Sequence, residues 1–223
     1  GPSTGNPFRD SLVRAENVGA RPLPPPETPE LYLGTGDSAA DRRALYENDY
    51  LLLGASTAHG SPDPAPALEA GRELGAALVV LYGRFSPPGG EPLEVLPYRP
   101  RPSASSLSEP LITHLGADDQ AAVYWGKTRP PILGIVSRPL TAEEQGRLGR
   151  AGGVRIESTV TGSPAAAAGL LPGDVLIALE GEPIAGAREL PARIVALAGR
   201  RVRFELVRDG SAREVEVDLN PAE

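Results

Sequence analysis

The chain has two histidines, His59 and His114. Ser56 and His59 lie three residues apart in the run Ser56-Thr57-Ala58-His59, directly after the apolar stretch Tyr50–Ala55. A serine hydroxyl within reach of an imidazole is the minimal nucleophile–base pair for acyl transfer. The end of a strand is also where α/β folds place their sites. No G-x-S-x-G elbow and no glycine-rich nucleophile segment surrounds Ser56, so the pair reads as polar loop residues and the chain is expected not to be an enzyme. The run Leu33–Ser38, LGTGDS, sets two glycines before a helix start, where an anion is favoured. It lacks the spacing of a dinucleotide fingerprint and the lysine of a phosphate loop, and Asp37 adds negative charge. Helix capping by Asp37 or Ser38 accounts for it. Asp118-Asp119 and Asp37/Asp41 have no histidine or cysteine cluster around them, so no metal and no cofactor are expected.

The composition narrows the classes further. The 223 residues carry a formal net charge of -7, and nearly all of the acidic excess lies before Arg129. An acidic chain argues against non-specific nucleic-acid binding. Cysteine is absent, which excludes disulfides and thiolate metal sites. Methionine is absent too, and Gly1-Pro2-Ser3 reads as a protease-cleavage scar. The natural N-terminus, with any signal sequence or lipid-bearing cysteine, is therefore expected to be missing. No apolar run reaches the roughly 18 residues of a membrane helix.

Residues 1–30 read as that scar followed by a spacer, because PLPPPETPE favours extended polyproline II. Residues 31–128 read as a small α/β domain. Its expected order is strand Leu31–Leu33, helix Ser38–Asn48, strand Tyr50–Ala55, helix Ala65–Leu74 and strand Ala76–Tyr82, a βαβαβ layer with some parallel pairing. Leu93–Tyr98 and Ala121–Trp125 are expected as further strands, with PRPSASSLSEP a mobile loop between them and Trp125 sealing the core. The phrase EAGRELGAALVVLYG is weakly similar to small bacterial envelope proteins.

Residues 129–223 carry a more specific pattern, centred on GSPAAAAGLLPGDVLIALEGEPI at Gly162–Ile184. Ser163 stands where an N-cap belongs, Pro164 at the first helical position, and Gly169 where a short alanine helix closes. Pro172-Gly173-Asp174 then turns the chain into the strand Val175–Leu179, and Glu180-Gly181 reverses it. Around this core lie ILGI (Ile132–Ile135), the helix LTAEEQGRLG, the strand GVRIESTV, the helix RELPARIVALAG and the hairpin VRFELVRDGSAREVEVDL. This ordered set resembles a bacterial, circularly permuted PDZ domain of the kind attached to high-temperature-requirement proteases. The resemblance implies an α+β fold, a β-barrel-like sandwich with two helices.

It also implies a site. In that family a Φ-Gly-Φ turn presents backbone amides to a peptide's terminal carboxylate, here Ile132, Leu133, Gly134 and Ile135. The following strand, Ile135, Val136, Ser137 and Arg138, would accept the peptide as an added antiparallel strand. The helix Arg188–Ala198 would form the opposite wall. Its stripe Leu190/Ile194/Leu197 is expected to face the core, and Pro191 and Val195 to edge the groove, with Ile194 near the pocket. Arg129 and Arg138 are candidates to help hold the carboxylate. The implied partner is a protein or peptide with an apolar C-terminal residue, an envelope protease or an assembly component, in the periplasm or at the outer membrane as a scaffold or lipoprotein. Two alternatives stay open at this point. One is a groove filled by the chain's own segment inside a structural assembly, and the other is a hydrolase-like site near Ser56 and His59.

Overall fold

A computed structural model describes residues 5–102 and 110–222. The expected scar at Gly1–Ser3, and residues 103–109 of the loop expected at Pro100–Pro110, lie outside the described residues. In chain order the elements begin with α1 (Pro7–Asp10), β1 (Val13–Arg14), β2 (Glu16–Val18), β3 (Arg21–Pro22) and β4 (Glu30–Leu33). They continue with α2 (Ser38–Glu47), β5 (Tyr50–His59), α3 (Ala65–Leu74), β6 (Leu78–Gly83) and β7 (Asp119–Arg129). Then come β8 (Ile135–Pro139), α4 (Ala142–Leu148), β9 (Val154–Thr159), α5 (Pro164–Ala167) and β10 (Val175–Leu179). The last are β11 (Glu182–Pro183), α6 (Leu190–Ala196), β12 (Arg201–Arg208) and β13 (Ser211–Asp218). The chain forms two compact units, and residues 16–21 belong to the C-terminal unit although their neighbours on both sides belong to the N-terminal one.

The N-terminal unit is a mixed sheet in the order β1-β5-β7-β6-β4. β4 and β6 are parallel, while β7 runs antiparallel to both β5 and β6. Alternation along β6 and β7 splits the side chains between two faces. Val79, Leu81, Ala122 and Tyr124 pack with Phe8, Ala67 and Ala70 of α1 and α3. On the other face Trp125 is fully buried, with its ring 5.5 Å edge-on to Tyr46 of α2. Three sequence expectations change here. Residues 6–22 are not a free spacer: Asn6 caps α1, whose Phe8 is completely buried in the core of the N-terminal unit. β5 runs on through Ser56-Thr57-Ala58-His59, because β7 pairs with it as far as Asp119. Leu93–Tyr98 makes only an isolated bridge, Leu33 to Val95, since Pro92 and Pro97 offer no amide to a ladder.

The C-terminal unit is a sheet in the order β13-β12-β10-β9-β8-β2, with β11 paired to β10. One core joins Ile132, Leu133, Ile135, Ile156, Leu170, Leu176, Ile194, Phe204 and Val217. Local chemistry fixes the connections. Ser163 caps α5 with Pro164 at the first position, and Thr141 and Glu144 form a reciprocal capping box on α4. Asp209-Gly210, both at positive φ, close the β12–β13 hairpin. Asp174 is buried, takes two bonds from Arg208 at 2.8 and 2.7 Å, and accepts the Leu171 amide.

Removing one partner from such a buried pair leaves an uncompensated charge. Arg208→Ala is expected to lower the stability of the C-terminal unit by about 3 kcal/mol in denaturant unfolding, whereas Arg203→Ala on the exposed side of the same strand changes it by less than about 0.5 kcal/mol.

Candidate functional site

The site is built from the loop Ile132–Gly134, the strand β8 and the helix α6. Pro130 and Pro131 bring the chain in without donors, so the first amide available in the loop is that of Ile132. The loop's carbonyls are all tied inward. Ile132 O accepts from Asn220 N at 3.1 Å, Leu133 O from Ala165 N at 2.9 Å and Gly134 O from Val160 N at 2.8 Å. The Asn220 side-chain amide also donates to Pro131 O at 2.8 Å. With the acceptors fixed, the conformation of the loop that carries these amides is fixed as well. Gly134 sits at φ +90°, and a Cβ there would meet the Ser163 side chain at 2.3 Å. Only glycine fits, for reasons internal to the loop.

β8 offers its outer edge, and that edge is covered by the chain itself. β2 pairs antiparallel with β8 in the register Glu16 to Ser137, Asn17 to Val136 and Val18 to Ile135. Val18 is 2% exposed and packs into the core beside Ile132, Leu133, Ile135 and Ile194. The next residue, Gly19, accepts the Ile132 amide at 2.6 Å through its carbonyl. Gly19 lies at φ +70°, and a Cβ on it would stand 2.8 Å from the Leu133 nitrogen and 3.1 Å from Ile194 Cγ2. Among the described residues, the amides of Leu133 and Gly134 donate to no acceptor. Beyond Gly19, Arg21 clamps the exit by donating to Pro130 O at 2.9 and 2.6 Å and to Ala222 O at 2.8 Å. Three residues and a glycine thus lie as a short added strand with their carboxyl end at the loop.

The expected site residues fall as follows. Ile132, Leu133, Ile135, Val136 and Ser137 are buried along the loop and strand, and Ile194 is the α6 residue set against Gly19. Pro191 is half-buried and Val195 is 57% exposed. Arg138 is committed elsewhere. It forms a two-pronged ion pair with Glu144 at 2.7 and 3.0 Å, and Arg155 joins at 3.2 Å. These bonds, led by that from Arg138 and followed by the Thr141 amide, hold the Glu144 carboxyl down at about 2 from its usual 4.5. The segment 16–21 was not expected in the site, because strand pairing is non-local and three residues carry little periodic signal. The available clue was Phe8, Leu12 and Val18, apolar residues in a stretch otherwise read as spacer.

The Ser56–His59 reading does not survive the geometry. Ser56 is 2% exposed and shares a hydrogen bond with the Tyr124 hydroxyl inside the N-terminal unit. His59, three residues on, points its Nδ1 to Asp119 Oδ1 at 2.9 Å on the surface. Alternation along β5 puts a serine and a residue three positions away on opposite faces. His59 and His114 do line one shallow recess of about 490 Å³ together with Leu111, Ile112 and Asp119. The Asp119 hydrogen bond raises the His59 pKa and lowers that of Asp119.

Comparison with known proteins addresses the C-terminal unit. The PDZ domain family model matches residues 131–219. The magnetosome formation protease MamE of Paramagnetospirillum magneticum is 37% identical over 102 residues, 44% of this chain and 14% of that protein. The periplasmic pH-dependent serine endoprotease DegQ of Escherichia coli is 31% identical over 104 residues, 45% of this chain and 23% of that protein. The crystal structure of the HtrA3 PDZ domain bound to a phage-derived ligand superposes with a TM-score of 0.35 at 18% identity, covering 40% of this chain and 83% of that one. The chain therefore spans less than a quarter of the length of the two proteases. Their names correct one expectation from the sequence: relatives that are endoproteases remove the ground for calling the chain a non-enzyme.

Two outcomes follow from the loop and its ion pair. Gly134→Ala forces a side chain onto Ser163 at positive φ and is expected to destabilise the C-terminal unit by about 2 kcal/mol in chemical denaturation. Glu144 has a folded pKa below its unfolded value, so its stabilisation is complete above pH 4.5 and is lost as pH falls toward 2. Thermal melts of the wild type should show that loss, and Glu144→Gln should flatten it.

Proposed function

We propose that the C-terminal half of the chain, a PDZ domain, captures an extended peptide as an added strand on β8, with the peptide's last residue against Ile132, Leu133, Ile135 and Ile194. The observation that carries this reading is the antiparallel pairing of Glu16–Val18 with β8, which supports an edge that takes a strand in that direction. Burial of Val18 among aliphatic side chains supports an apolar final residue. The donor loop Ile132–Gly134 supports a free carboxylate beyond it. Arg138 is left out of carboxylate recognition by its pairing with Glu144. Relatives named as periplasmic proteases support a bacterial envelope setting. None of the described helices is long and apolar enough to cross a membrane. One strand and one pocket correspond to modest affinity, on the order of micromolar or about -8 kcal/mol.

A second reading is favoured by the same pairing: the groove serves as an internal joint that fastens residues 16–21 to the C-terminal unit, within a structural component of an envelope assembly. The two readings part in a titration of the labelled chain followed by amide chemical shifts. A peptide of seven to ten residues ending in a free valine carboxylate should move the amides of Leu133, Gly134 and Ile135 first. Shifts confined to other surfaces, or none at millimolar peptide, would leave the internal joint.

A further inference from the structure

The occupied groove is asymmetric in how its donors are used. Of the three loop amides, that of Ile132 meets the Gly19 carbonyl, and those of Leu133 and Gly134 meet no acceptor among the described residues. A terminal carboxylate has two charged oxygens and about four lone-pair sites, where an internal carbonyl has one neutral oxygen. We infer that Glu16–Gly19 is a resident pseudo-ligand that keeps the groove closed, and that a peptide with a free C-terminal carboxylate opens it by taking the two amides the resident strand leaves unmet. This rests on the peptide-capture reading above and adds its regulation.

The residues around Gly19 fit a strand built to be exchangeable. Val18 fills the pocket, so the resident strand holds the groove through the contacts a ligand side chain would use. Gly19 replaces the terminal carboxylate with the smallest continuation of chain that clears Leu133 and Ile194. Arg21 fastens the outgoing chain by donating to the backbone carbonyls of Pro130 and Ala222. The apparent affinity for an outside peptide is the intrinsic affinity reduced by the fraction of molecules whose groove is open. A change that loosens residues 16–21 therefore tightens outside binding without touching the loop.

The test uses the full chain and a synthetic peptide of residues Leu12–Val18 ending in a free carboxylate, with its C-terminal amide as control. Binding is read by calorimetry, and release of residues 16–21 by amide exchange. Two variants open the groove by different means. Gly19→Val places a side chain on Leu133, and Arg21→Ala removes the clamp. Each is expected to tighten binding of the free acid about tenfold, while the amide binds at least about tenfold more weakly than the acid. A third variant, Glu16→Cys with Ser137→Cys, joins two directly paired positions in a chain that has no other cysteine. Oxidised it should not bind, and reduction should restore binding. Peptide should also remove exchange protection from residues 16–19 of the wild type. If the acid binds wild type and both opened variants equally, and protection of 16–19 persists, the gate is wrong although peptide capture stands. If the acid binds none of them, peptide capture itself fails.

Discussion

The open edge of β8 is the constraint on which the C-terminal unit depends. An edge strand presents a row of amides and carbonyls that must meet water, another strand or a partner. This unit answers with three of its own residues, brought from a part of the sequence more than a hundred positions away. The pairing does more than cover polar groups. It carries Val18 into the same core that holds Ile135 and Ile194, so edge coverage and apolar burial are satisfied together. The glycine that follows makes the close approach possible, because any Cβ at that place would collide with the loop.

The loop meets this strand as a rigid surface. Its three carbonyls are engaged by Asn220, Ala165 and Val160, residues from the last strand's exit, the alanine helix and the end of β9. The GSPAAAAG segment therefore acts at a distance from the groove. Its serine packs against Gly134, its first alanine anchors Leu133, and its helix seats Leu170 in the core. The Arg138–Glu144–Arg155 cluster has the same character. It lies next to the groove in sequence, yet its charges are spent on capping α4 and holding β8 to β9. A cationic residue adjacent to a binding strand is thus fully explained by helix capping.

What was legible in the sequence was whatever local chemistry writes. Ser163-Pro164, Thr141 with Glu144, Gly169, Asp209-Gly210 and the period of α2 and α3 each specify a cap, a turn or a helix within a few residues. The loop Ile132–Gly134 was legible as part of an ordered set, not alone. What was not legible depends on distant partners. β5 continues through His59 because β7 is long enough to pair with it, and no residue in Ser56–His59 announces that. Ser56 is polar in sequence but turns inward to the Tyr124 hydroxyl, where burial raises the tyrosine pKa to about 12. Residues 16–19 have one strand-forming side chain, Val18, and a glycine, and the proline run after them dominates a reading by composition.

On the proposed exchange, the energetics allow one groove to hold a resident strand and still receive another. A tethered segment is present at an effective concentration on the order of millimolar, so against a micromolar peptide it holds an advantage of about a thousandfold, or about 4 kcal/mol. Side-chain burial does not decide the contest, because Val18 and a ligand valine bury the same surface in the same pocket. Hydrogen bonding does. A bond to a charged acceptor contributes about 1.5–3 kcal/mol against about 1 for a neutral one. Engaging the Leu133 and Gly134 amides as well as that of Ile132 supplies a differential of the same size as the tether's advantage. Two occupants so closely matched, one favoured by attachment and the other by its terminal charge, would make the groove's state responsive to peptide concentration, a property that neither a permanently filled joint nor an empty receptor would have.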